Sequence, residues 1–373
     1  MAQPKSTQSE STQPGSTQPE SPQSESAQPE PAQSESSGPR ALGLWELADL
    51  VTPMAVRVAA THRVADHITD GRVTAYDIAR AEGLRVQPLD RVLRHLVSVG
   101  VLTADGGSYG LTELGQGLRS DHPSGQLHLI DLNGAIGRGD LCLVELPHLV
   151  RTGDPAYPVR YGLPFWDDLE TDPELAQSFD RVMADNVARD ARSIADAYDW
   201  SSLGHVYDLG GGNGVLLAGL LAAHPTLRGT VVDLPGTAAR AAQRFRDAGL
   251  GDRAQVVGGS FFEELPTGGG GYLLSSVLHN WADKEALRIL ERCSAAVAGG
   301  DGRVFVVEET AETADTGMDL RMLAYYGGLE RPLDELARLA RAAGLEVVAV
   351  HRADGQATAV RSIVELVPEG RAH

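Results

Sequence analysis

The stretch 208-DLGGGNGVLLAGLL-221 places an acid and a run of glycines between an apolar strand-like segment and an apolar helix-like one. Glycines at 210, 212 and 214 permit positive φ and let backbone N–H groups approach a ligand at the start of the helix. The next strand-like run, GTVVDL, brings Asp233 about twenty residues further on, where a carboxylate can accept both hydroxyls of a ribose. Later the apolar run YLLSSVL stops at His279, a titratable imidazole just before a helix-like pattern that starts at Trp281. The run RVFVVEE then ends in acids that include Glu308. In an alternating α/β chain, ligands sit beyond the carboxyl ends of the strands, so Asp233, His279 and Glu308 are expected around one crevice. His279 alone also reads as a core histidine at a helix entrance, with Asn280 as N-cap and Asp283 as its partner.

The glycine spacing separates two cofactor classes. The dinucleotide fingerprint is GxGxxG, but its last position here would be Val215; the run reads GxGxG and follows an acid, Asp208. That pattern favours S-adenosylmethionine over NAD.

The elements that must hold these residues follow from periodicity. HVYDL, GTVVDL, AQVVGG, YLLSSVL, RVFVVEE and LEVVAV are strand candidates separated by helical stretches, which predicts a doubly wound, Rossmann-like α/β sheet over 201–373. Residues 126–200 have a helical pattern. Residues 41–125 have helix-like periodicity followed by the short strands of VLTADGGSYGLTELG, the pattern of a mainly α winged-helix domain. Residues 1–40 hold a five-residue repeat of Ser, Gln, Pro and Glu with almost no apolar surface, and are expected to be disordered.

Composition narrows the partners. The net charge is −19, and the first forty residues account for only a small part of it. Such a body repels phosphate backbones, so nucleic acid is not expected as a partner, despite Arg85, Arg91 and Arg94 in the winged-helix region. Cys142 and Cys293 are far apart and outside any Cys/His cluster, so neither a disulfide framework nor a metal site is expected. No run approaches the roughly 20 apolar residues of a membrane span, and no secretory pattern opens the chain, so a cytoplasmic location is expected.

The succession DLGGGNG, VVDLP, VVGGSFF, LLSSVLHNW, VFVVEE and MDLRMLAYYGGLERP resembles the S-adenosylmethionine-dependent small-molecule O-methyltransferases of the plant caffeate and flavonoid type, with their bacterial anthracycline-type relatives. The resemblance covers about residues 41–367. It implies a class I methyltransferase sheet, an N-terminal winged-helix homodimerisation domain, S-adenosyl-L-methionine as cofactor and an aromatic natural-product hydroxyl as acceptor. Cofactor residues carry over to Asp208, Gly210, Gly212, Asp233, Leu234, Phe261 and Ser275, with Ser260 at the adenine position. The catalytic base falls on His279, flanked by Glu308 and Glu330. Phe179, Met183 and Asn186 share one side of a helix at i, i+4 and i+7, and the resemblance places them over the acceptor with Met322 and Tyr326.

Some positions depart from the family. Ser260 replaces the aspartate that binds the adenine amino group, Asn280 the aspartate after the base, and Pro332 a frequent threonine; 268-GGGGY-272 stands where an acid is usual. Two other readings remain: a relative that binds the cofactor but hydroxylates or decarboxylates, and a winged-helix regulator that senses it.

Overall fold

The structure is a computed structural model that describes residues 43–310, 316–353 and 361–371. The repeat segment of residues 1–40 lies outside the described residues. The short helix Leu44–Ala48 belongs to one compact unit that ends at Ala48, and a second unit begins at Asp49.

The second unit opens with helices whose buried faces follow the 3.6-residue period. In Val86–Ser98 the buried residues are Leu89, Leu93 and Leu96, at i, i+4 and i+7. Ala75–Glu82 starts at Thr74, whose hydroxyl accepts the N–H of Asp77, and stops at Gly83 in the left-handed region. A hairpin follows, β1 (Leu102–Asp105) and β2 (Ser108–Leu111), paired from Leu102↔Leu111 to Asp105↔Ser108. These elements share a core around Ala59, Ile78, Leu93 and Leu96.

Residues 126–200 are more broken than the sequence predicts. Several short helices precede one long helix, Pro173–Asp196, which Asp172 starts by accepting the N–H groups of Glu174 and Leu175. Its 24 residues span about 36 Å at 1.5 Å per residue, enough to reach across one face of a sheet.

That sheet contains β3 (His205–Leu209), β4 (Arg228–Asp233), β5 (Ala254–Gly258), β6 (Gly271–Ser275), β7 (Arg303–Glu309), β8 (Leu345–Ala353) and β9 (Arg361–Pro368), in the order β5-β4-β3-β6-β7-β9-β8. β3 to β7 are parallel to their neighbours, and β9 runs antiparallel between β7 and β8. β9 is the strand that the periodicity did not reveal. Its interior is uniformly buried, so it lacks the alternation that marks a half-exposed strand. The reversal of order at β3 is the topological switch point where such sheets bind ligands.

Two apolar layers cover the sheet. One packs Asp283–Val297 and Leu333–Ala342 through Ile289, Leu290 and Leu336, and the other packs Ile194, Trp200, Leu217 and Phe245. The glycine run before β6 is a packing requirement. A Cβ on Gly270 would lie 2.0 Å from the Leu203 carbonyl oxygen, and one on Gly269 would lie 2.6 Å from the Tyr207 ring.

Candidate active site

β3, β4, β6 and β7 end at one edge of the sheet, and the residues predicted for chemistry lie there. At the end of β3, Asp208 is buried, and one carboxylate oxygen, Oδ2, has no hydrogen-bond partner. Burial first, and then the charge of Asp233, push the Asp208 carboxyl up to about 7. Gly212 adopts φ 59°, a left-handed conformation that turns its N–H onto Asp233 Oδ2 at 2.8 Å. The Leu234 N–H donates to Asp233 Oδ1 at 2.7 Å. Burial raises the Asp233 carboxyl, and these two donors oppose it. Each Asp233 oxygen keeps a lone pair for a further donor, so the carboxylate is fixed and still able to accept hydroxyls.

The other predicted cofactor residues border this loop. The Gly210 N–H donates to the Val232 carbonyl at 2.8 Å, and the space beside its Cα is taken by Val277 and Phe261. Phe261 lies edge-on to Trp281 with centroids 6.0 Å apart. The Ser260 hydroxyl accepts the Phe262 N–H at 3.2 Å, so it closes a local turn. Ser275 is the last residue of β6, paired with Val307. The unpartnered Asp208 oxygen and the Asp233 carboxylate anchored by the Gly212 and Leu234 N–H groups fit a cationic nucleoside cofactor.

The titratable cluster forms beyond β6 and β7. His279 lies in a 3-10 turn, Leu278–Asn280, where its Nδ1 is 2.8 Å from Glu330 Oε1 and its backbone N–H donates to Glu308 Oε1 at 3.0 Å. An ionised carboxylate only accepts, so Nδ1 carries the proton and Nε2 offers a lone pair. Burial lowers the His279 pKa, but the Glu330 hydrogen bond and the charges of Glu308 and Glu330 outweigh it, and the net shift is upward. Burial raises Glu308, which the imidazole partly offsets. Glu308 therefore holds the backbone of His279, and Glu330 holds its ring.

Asn280 is not the cap of the following helix. That position is Ala282, which makes no side-chain cap bond, and Asn280 instead donates to the Ser276 carbonyl at 3.1 Å. Asp283 pairs with Arg331 and Arg338. A Cβ at Gly328 would lie 2.1 Å from the His279 carbonyl oxygen, so the glycine of GGLERP lets the segment carrying Glu330 close on His279.

The predicted substrate residues fall into two groups. Phe179 and Tyr326 join one aromatic cluster with Phe165 and Trp166, in which Trp166 stacks on Tyr326 at 5.1 Å and meets Phe179 edge-on at 5.4 Å. Met322 is buried one turn before Tyr326. Met183 is half-buried, and Asn186 lines a small depression with Gly125 and Leu129.

Some functional residues escaped the sequence reading. Arg331 is buried and donates to the Leu278 and Trp281 carbonyls at 2.9 and 2.7 Å, which fixes the turn that carries His279. Arg240 pairs with Asp180, tying the long helix to the helix after β4. Trp166 had a visible signal in PFWDD, whereas the arginines had none. A cavity of about 680 Å³, lined by Tyr198, Gly269, Arg303 and Glu365, opens at the opposite edge of the sheet and contains none of the predicted residues.

No group of three or more His, Cys, Asp or Glu side chains that could hold a metal occurs among the described residues. No described helix is long and apolar enough to cross a membrane.

The chain is similar to known proteins over most of its length. Residues 144–346 match the O-methyltransferase domain family, and residues 45–121 match the O-methyltransferase dimerisation domain. The chain is 59% identical over 319 residues to a 2,7-dihydroxy-5-methyl-1-naphthoate 7-O-methyltransferase of Streptomyces carzinostaticus, covering 84% of this chain and 96% of the relative. It is 46% identical over 325 residues to an aclacinomycin 10-hydroxylase of Streptomyces purpurascens, covering 84% and 86%. A crystal structure of a neocarzinostatin-biosynthesis O-methyltransferase, in complex with S-adenosylmethionine and 2-hydroxy-5-methyl naphthoic acid, superposes with a TM-score of 0.84 at 56% identity, covering 88% of this chain and 99% of that one.

Proposed function

The chain belongs to the S-adenosylmethionine-dependent O-methyltransferases, and from that premise we propose that it methylates a phenolic hydroxyl of a naphthoate-like acceptor with His279 as general base. The observation that carries the base is the 2.8 Å contact between His279 Nδ1 and Glu330, which leaves Nε2 as the acceptor. The cofactor, when bound, supplies a methyl group already activated by a sulfonium. The protein aligns the hydroxyl oxygen in line with that methyl and removes the hydroxyl proton. A phenol has a pKa near 10 and histidine about 6.5, so proton transfer before attack is uphill by roughly 3–4 units. The upward shift of His279 narrows that gap.

In this reading Asp208, Gly210, Gly212, Asp233 and Leu234 hold the cofactor, with Ser260 and Phe261 at its base and Ser275 at its amino-acid end. Phe179, Met183, Met322 and Tyr326 wall the acceptor, and Asn186 stands at the far end of that wall. The aromatic cluster of Phe179, Trp166 and Tyr326 supports a flat acceptor. Residues 41–125 form the homodimerisation domain, 126–200 the substrate-covering region and 201–373 the catalytic domain, in a cytoplasmic enzyme.

The 46% identity to a hydroxylase favours a second reading, oxygenation of a related aromatic. One assay separates them. Purified protein incubated with S-adenosylmethionine and hydroxynaphthoic acids is expected to give a product heavier by one methylene, with S-adenosylhomocysteine formed in equal amount. A product heavier by one oxygen, or no methylated product from any phenol tried, overturns the proposal.

A further inference from the structure

Only two non-glycine residues among those described have positive φ, Arg63 and Ser276, and Ser276 lies three residues before His279 at φ 54°. A serine is held in the left-handed region only where its surroundings over-determine it. Three hydrogen bonds do so here. The Ser276 N–H donates to the Val307 carbonyl at 3.0 Å, its carbonyl accepts from Asn280 at 3.1 Å, and its hydroxyl is 2.7 Å from the Arg361 guanidinium. Arg361 Nε in turn donates to Asp190 at 2.6 Å. Asp190 is a buried residue of the long helix Pro173–Asp196, which also bears Phe179 and Met183.

Topology explains why an arginine from the last strand reaches this turn. β9 enters antiparallel beside β7, so Arg361 pairs with Glu309 at the edge where β6 and β7 end. The guanidinium therefore joins two parts that the sequence keeps apart, the helix over the acceptor and the turn that carries the base. Arg361 also disfavours the imidazolium, while Glu308 and Glu330 favour it.

We propose that Arg361, clamped by Asp190, is a positioning residue for the methyl transfer: through Ser276 it fixes the left-handed turn that aims His279, and it keeps the acceptor-covering helix in register with that turn. Its proposed action runs through Ser276 and Asp190. The proposal rests on His279 as the base.

Arg361→Gln tests it. The expected result is a fall in kcat of about tenfold or more, the scale of a small misplacement of reacting groups, with the cofactor Kd unchanged. The acidic limb of kcat/KM moves to higher pH, because removing a cation near the imidazole raises the His279 pKa. Arg361→Lys recovers part of both effects. Asp190→Asn leaves the cation in place and loosens its tether, so kcat falls without an upward movement of the limb. Two results overturn the proposal: wild-type kcat and limb in both Arg361→Gln and Asp190→Asn, or kcat, cofactor affinity and melting temperature falling together with the limb unmoved, the mark of a merely structural role. His279→Ala measured in parallel keeps the premises apart, since retained turnover there removes the base itself.

Discussion

The two ends of the site handle buried charge differently. At the cofactor end, Asp208 and Asp233 are both raised by burial, and Asp208 keeps one oxygen with no partner. At the acceptor end, Glu308 accepts the backbone N–H of His279 and Glu330 its ring Nδ1–H, so both acids are set around a titratable imidazole. Asp208 meets no opposite charge in the ligand-free protein, whereas Glu330, although its Oε2 also has no partner, already holds the imidazole through Oε1. On the proposed roles, the first cluster governs affinity and the second turnover.

Glu330→Gln breaks the acceptor end alone. Loss of the carboxylate frees the imidazole ring and its tautomer, so kcat is expected to fall by about 10²-fold while calorimetric cofactor binding is unchanged. The acidic limb of the rate profile moves to lower pH, because Glu330 favours the imidazolium. An equal loss of cofactor affinity would show that the two ends are not separable.

Asp208→Asn probes the other end. Because Asp208 sits at about 7 in the ligand-free protein, a cationic cofactor displaces its proton, and wild-type affinity should rise up to about tenfold per pH unit below 7 and level off above it. The variant is expected to lose that dependence and bind more weakly at pH 8. Its stability should move the opposite way. A carboxyl raised on folding makes the native state bind more protons than the unfolded one between about 4 and 7, so wild-type stability falls as pH rises through that window. Removing the charge should stabilise the ligand-free protein at pH 8 by up to about 4 kcal/mol, with little effect near pH 4, by thermal unfolding. A pH-independent Kd in the wild type contradicts this account.

The smallest effect is expected at the adenine side. Ser260→Asp keeps an acceptor for the Phe262 N–H and adds a carboxylate oxygen for an adenine amino group, so cofactor affinity should tighten about fivefold, the worth of one hydrogen bond. An unchanged Kd by calorimetry means that another group already makes that contact.

The same contrast governs what the sequence makes legible. Asp208 and Asp233 lie on consecutive strands, Gly210 and Gly212 lie in the loop after the first, and the Gly212 and Leu234 N–H groups donate to Asp233, so short motifs contain nearly the whole arrangement. His279 and Glu308 were readable as residues at strand ends, and Glu330 only through a family resemblance, since nothing local marks an acid 51 positions from its partner. Asp190, Ser276, Arg331 and Arg361 were not legible. Each acts through a long-range pairing set by the insertion of β9 or by a buried turn, and an arginine in a strand or an aspartate in a helix carries no local sign of that use. Asn280 shows the opposite error. Its position before a helix has the local pattern of a cap, but tertiary contact draws its side chain to Ser276.

The most direct test of the account is the single-turnover rate of methyl transfer by His279→Ala at saturating cofactor and hydroxynaphthoate, with cofactor Kd measured on the same preparation. The account predicts a loss of about 10²- to 10⁴-fold in rate, the usual contribution of a general base, at unchanged Kd. A rate within about threefold of wild type, less than the uncertainty of such context-dependent effects, would show that the proton leaves by another route and that His279 is not the base.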